Sequence, residues 1–153
     1  MAASAQVEPM VNAHRKLVDK IDHARDIPRA LRAPLKQALL AVLGAHEEDR
    51  DDGDRSEPQL KSLMGLIQFL SHPHREEWPP PSLALNPEGH FVAIWDSSRG
   101  QRYSVEFVSN NRAEWIGVSK EAEGFAREQG HYDGLDDYEA PPFGIILRRA
   151  VAR

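Results

Sequence analysis

Between Phe91 and Val118 the chain alternates apolar and polar residues through three short runs, FVAIW, RYSVEFV and RAEWIGV, joined by DSSRGQ and SNN. Phe91, Ala93 and Trp95 fall on one side of the first run. Tyr103, Val105 and Phe107 do so in the second, and Ala113 and Trp115 in the third. Period-two patterning with aromatic and β-branched residues at the packed positions predicts an antiparallel meander. SLALN, followed by Pro87-Glu88-Gly89 with proline at the second position of a turn, adds a strand ahead of it. The predicted strands are 82–86, 90–96, 101–108 and 112–118.

The first half of the chain carries a helical period instead. Met10, Val11, His14, Leu17, Val18 and Ile21 recur at helix spacing and predict a helix from Glu8 to Arg25. A second helix is expected to start at Pro34, with Leu35, Ala38, Leu39 and Val42 as its stripe and an end near Gly44. Leu40 and Leu43 broaden that stripe, which predicts burial on more than one side. Ser56 and Gln59 have capping-box spacing, so Ser56 is expected to cap a third helix that has Pro58 in its first turn, packs Leu60, Leu63, Met64, Ile67 and Leu70, and stops near His72 before Pro73. The run Trp78 to Pro81 predicts a stiff extended linker. After Val118 the pattern weakens: residues 119–130 predict a short helix, and FGIIL a terminal strand. The whole is one α+β domain spanning 1–153, with a helical part at 8–72, a meander at 82–118 and a C-terminal segment at 119–153.

Composition narrows the function without naming it. With 153 residues and 41% hydrophobic positions the chain matches one soluble globular domain. No run approaches the ~20 apolar residues of a membrane helix. The first ten residues do not resemble a secretory signal. The absence of cysteine removes disulfides and thiolate chemistry, and a cytoplasmic location is expected.

The net charge of −5 is concentrated in residues 47–58, where seven acids and two arginines account for all of it. An acidic loop at 47–55 follows, with Glu47, Glu48, Asp49, Asp51, Asp52 and Asp54 as candidates for steering a basic protein partner. It does not fit a calcium loop: alignment on Gly53 puts Arg50 at a ligand position and Gln59 where a bidentate glutamate belongs. Nucleic-acid binding would need Arg99, Arg102, Arg112, Arg148 and Arg149 on one face, and no basic cluster predicts that.

Candidate chemistry is sparse. His72 and His74, with Glu76 and Glu77 nearby, offer metal-ligand types, but no metalloprotease spacing completes them. Asp22, His23 and Asp26 are acid–base residues by composition only. Glu106 is expected to pair with Arg112 or Arg102 across the sheet. No cofactor motif is present. Trp95 and Trp115 belong to a face the helix stripes can cover, whereas Val92, Ile94, Ile116 and Val118 line the opposite one. An uncovered apolar face favours a non-catalytic protein-binding or assembly role, such as an inhibitor, an antitoxin-like protein or an accessory subunit, through another chain or self-association. The alternative is a small hydrolase or other metal-dependent enzyme using His72, His74 and nearby carboxylates.

Overall fold

The structure, a computed structural model, describes residues 14–48, 56–71, 75, 78–97 and 100–133. Among these residues three helices, α1 (residues 14–22), α2 (Arg29–Glu48) and α3 (Leu60–Leu70), precede five strands. These are β1 (Ser82–Leu85), β2 (Phe91–Asp96), β3 (Gln101–Phe107), β4 (Arg112–Glu121) and β5 (Gly124–Asp133). All neighbours are antiparallel and lie in sequence order, a simple meander. The fold is α+β, as the two hydrophobic periods predict.

The core lies between the helices and one sheet face. Phe91, Ala93, Trp95, Tyr103, Val105, Phe107, Ala113 and Tyr132 are buried there, beneath Leu31, Leu35, Leu39 and Leu43 of α2 and Leu63, Leu66, Phe69 and Leu70 of α3. Leu17 and Ile21 close the cluster from α1. Phe69 is the hub of the rings, with Trp78, Trp95, Phe107 and Tyr132 centred 5.5–6.1 Å away. Such contacts add about 0.5–1.5 kcal/mol per pair beyond area burial. Trp78, in the predicted linker, is thus a core residue. The buried Arg75 lies between Phe69 and Trp78, its guanidinium carbon 4.1 Å from each ring centre, which compensates part of the cost of burying a cation.

Besides small shifts at the ends of α1, which stops at Asp22, and of β4, which runs on to Glu121, three larger differences from expectation stand out. Helix α2 begins five residues before Pro34 and runs past Gly44 to Glu48. Its first turn closes ahead of the proline, through Leu31 N–H to the Pro28 carbonyl (2.8 Å), and Arg32 holds the carbonyls of Ile27 and Arg25. Leu40 is exposed, so α2 buries one stripe rather than two sides.

Helix α3 begins at Leu60, with Gln59 rather than Ser56 at its N-cap, and Gln59 makes no side-chain cap bond. Residues 56–59 are extended because they pair with the β1–β2 turn: Ser56 N–H bonds the Pro87 carbonyl and Gln59 N–H the Gly89 carbonyl, both at 2.9 Å. Satisfying two backbone donors on a neighbouring turn replaces the capping box.

The third difference is β5. Residues 124–133 pair with β4 along its length from Glu121↔Gly124 to Arg112↔Asp133, so the predicted helix at 119–130 is the end of one strand and most of another. Gly124, which weakens a helix, has φ +124° at the turn that joins them. Gly130, across from Trp115, leaves room for the indole; a Cβ there would stand 2.7 Å from the ring. The predicted FGIIL strand lies outside the described residues.

Ser62 ties α3 to the sheet. Its buried hydroxyl accepts the Phe91 N–H (2.7 Å) and donates to the Phe107 carbonyl (2.5 Å), satisfying backbone groups of β2 and β3. Three residues on, Gly65 allows close approach to the β3–β4 turn, because a Cβ would lie 2.4 Å from the Ser109 carbonyl oxygen. Ser62→Ala is expected to cost about 1–3 kcal/mol per orphaned backbone group. Urea unfolding should show the midpoint falling with an unchanged slope; an unmoved midpoint would remove Ser62 from this role.

Candidate metal centre

With the aromatic residues turned toward the helices, period-two geometry sends the alternate residues of every strand to the other face. That face carries Val92 and Ile94 from β2, Arg102, Ser104 and Glu106 from β3, Arg112, Glu114, Ile116 and Val118 from β4, and Gln129, His131 and Asp133 from β5. Val92, Ile94, Ile116 and Val118 are half-buried, and no described helix covers them. A cavity of about 490 Å³ opens there, with Glu106, Arg112, Glu114, Ile116, Gln129 and His131 in its lining.

Glu106, which lines this cavity, meets Glu88 and His90, and the three bring one nitrogen and two carboxylate oxygens within 4.8 Å of one another. The β1–β2 turn positions them. The Asn86 carbonyl accepts the Gly89 N–H (3.0 Å), and its side-chain oxygen accepts the backbone N–H of Glu88 (3.1 Å) and of His90 (2.9 Å). Its amide nitrogen then donates to Glu106 Oε2 at 2.7 Å. One asparagine thereby sets the turn and aims a ligand from a different strand. Gly89, at φ +85°, could not carry a Cβ, which would stand 2.2 Å from the Glu57 carbonyl oxygen. Gln59 braces the turn from behind by donating to the Glu88 carbonyl (2.9 Å). His46, buried near the end of α2, holds the Ser56 carbonyl at 3.2 Å.

His90 Nδ1–H donates to Glu106 Oε2 at 2.7 Å, with Glu88 Oε2 at 3.5 Å. The His90 and Glu106 side chains are 12% and 28% exposed, against 72% for Glu88. The cluster thus has two sheltered donors and one that reaches it from solvent. Ligands about 2.0–2.1 Å from a tetrahedral zinc ion stand about 3.3 Å apart. The His90–Glu88 separation is close to that, the His90–Glu106 contact would have to open for an ion to replace the shared proton, and the two carboxylates lie within 4.8 Å of each other.

Glu106 and Glu114 are direct cross-strand partners on this face. Like charges in that relation are destabilising. Glu114 makes no hydrogen bond or ion pair with a described residue. Beyond it, His131 Nε2 meets Asp133 at 3.1 Å.

The sequence-based candidates fare unevenly. Glu106 pairs with His90 and Asn86 instead of an arginine; Arg102 is taken by Asp96 at 2.6 Å, a hydrogen bond that raises its pKa further. Asp22 pairs with Lys36 (2.9 Å), and His23 donates to the Asp19 carbonyl (2.7 Å), so they form no shared site. Glu47 and Glu48 are exposed in the last turn of α2. Asp49, Asp51, Asp52 and Asp54 lie outside the described residues, as do His72 and His74. Trp95 is core, stacked on Tyr103 at 5.6 Å with its indole N–H on the Pro79 carbonyl, while Trp115 is half-buried. Glu88, His90 and Asn86 were missed as a group. Their only sequence signal is the N-P-E-G-H turn, which identifies a turn and not what faces it.

No family model matches the chain, and no curated protein or solved structure matches it. Among the described residues, no helix is long and apolar enough to cross a membrane.

The Glu106–Glu114 repulsion has a measurable consequence. In metal-free protein, Glu114→Gln is expected to stabilise the fold by about 0.2–1 kcal/mol, read as a higher urea midpoint at low ionic strength. A destabilised variant would show that the two carboxylates are not in conflict.

Proposed function

We propose that this protein is a metal-dependent enzyme of hydrolytic type, with a divalent ion such as Zn²⁺ held by Glu88, His90 and Glu106. The observation that carries the reading is the convergence of these three side chains beside the cavity. One imidazole and two carboxylates are ligand types zinc accepts, and three protein ligands leave a fourth position for water, as in catalytic zinc sites. Asn86 supports the reading as the group that orients Glu106, since ligands held by an outer hydrogen bond lose less freedom on binding. The ion would lower the pKa of its water to about 7. Glu114, opposite Glu106 and without a partner among the described residues, would accept the water's proton.

Calorimetric titration of the purified chain with Zn²⁺ tests the ligand set. One site per chain is expected, with affinity at least tenfold lower in His90→Ala and in Glu106→Gln and near wild type in Glu114→Gln. At a free zinc concentration of 100 Kd the fold should gain about 2.7 kcal/mol. Unchanged affinity in His90→Ala would end the proposal.

A second reading rests on a different observation: Val92, Ile94, Ile116 and Val118 stand half-buried on a face that no described helix covers. Under it the protein is a binding or assembly module that docks another chain, or a second copy, on the open face, with the acidic residues 47–54 steering a basic partner. Sedimentation would then show a concentration-dependent complex that Ile94→Glu dissolves. A monomer at all concentrations would reject the self-associating form.

A further inference from the structure

Arg112 opens β4 on the same face, directly opposite Asp133 and two residues before Glu114. Its guanidinium makes no hydrogen bond or ion pair with any described residue. The acid across from it is engaged by His131 at 3.1 Å. Arg102, one strand away, shows the ordinary outcome on this sheet, a close pair with Asp96. Arg112 therefore keeps an unfilled planar fork of donors, in a cavity whose lining also includes the metal candidate Glu106.

We infer that the cavity binds a small oxyanion, a phosphate or carboxylate group of the substrate, bridged between the ion at Glu88–His90–Glu106 and the guanidinium of Arg112. The inference rests on the metal reading above and specifies the substrate class it would serve. Arginine binds such groups through two parallel N–H···O bonds, which fixes orientation as well as affinity.

The charges decide when this can happen. The charged lining consists of Glu106 and Glu114 against Arg112, with His131 counted neutral, a formal balance of minus one. An anion entering the metal-free cavity meets net repulsion. With Glu88, the ion's third ligand, counted as well, a divalent ion brings the balance from minus two to zero and supplies the second contact. Anion affinity is therefore coupled to metal occupancy, as linkage requires of two ligands that assist each other.

The test uses the full chain, loaded with one equivalent of Zn²⁺ and freed of excess, and methylphosphonate as the probe in calorimetry. Zinc-loaded protein is expected to bind the probe at least tenfold more tightly than metal-free protein. Arg112→Gln should lose at least tenfold of that affinity while its Zn²⁺ affinity stays at the wild-type value. Arg112→Lys, which keeps the charge without the fork, should fall between the two. Equal probe binding by Arg112→Gln and wild type, or by metal-free and loaded protein, would overturn the inference while leaving the metal site intact. Failure of the wild type to take up Zn²⁺ in the direct titration would overturn both.

Discussion

Burial of one aromatic face of the sheet beneath α2 and α3 is the constraint on which the rest of the molecule depends. Phe91, Trp95, Tyr103, Phe107 and Tyr132 meet Leu31, Leu35, Leu39 and Phe69 in a single cluster. A slip of one residue in any strand would turn that set to solvent, so the register is strongly specified. The same parity places His90, Glu106, Glu114 and His131 together on the outer face. The polar constellation is thus a consequence of the core.

Polar contacts then convert a placed face into an organised one. Ser62 joins α3 to backbone groups of β2 and β3, which fixes the helix against the strands. The extended segment 56–59 holds the β1–β2 turn through Ser56 and Gln59. Asn86 finishes the arrangement by linking the turn to Glu106 on β3. Each step recruits residues distant in sequence, and the last leaves His90 and Glu106 in hydrogen-bond contact at the edge of a cavity.

Most of the architecture was legible in the chain because it follows from periodicity. The stripes of α1 and α3 and the alternation in β2, β3 and β4 each carry their own burial pattern. The misreadings share one physical source, a local signal outweighed by a tertiary contact. Pro34 resembles a helix start, yet Ile27 and Leu31 are buried and draw the helix back to Arg29. Ser56 and Gln59 resemble a capping box, yet their backbone donors find carbonyls on the 87–89 turn. β5 has few apolar residues and three glycines near or within it; it pairs with β4 alone among the described strands, and its one deeply buried side chain is Tyr132. The metal candidate was the least legible part. His90 and Glu106 are sixteen residues apart, and only the β2–β3 register brings them side by side.

The proposal that this outer face holds a divalent ion between Glu88, His90 and Glu106 can be tested by locating the ion. Anomalous diffraction at the zinc edge, from crystals of the full chain grown with one equivalent of Zn²⁺, locates the ion most directly. One strong peak is expected about 2.0–2.2 Å from His90 Nδ1 and from a carboxylate oxygen of Glu88 and of Glu106, with Asn86 still bonded to Glu106. A fully occupied peak elsewhere, with the His90–Glu106 hydrogen bond intact, would contradict it.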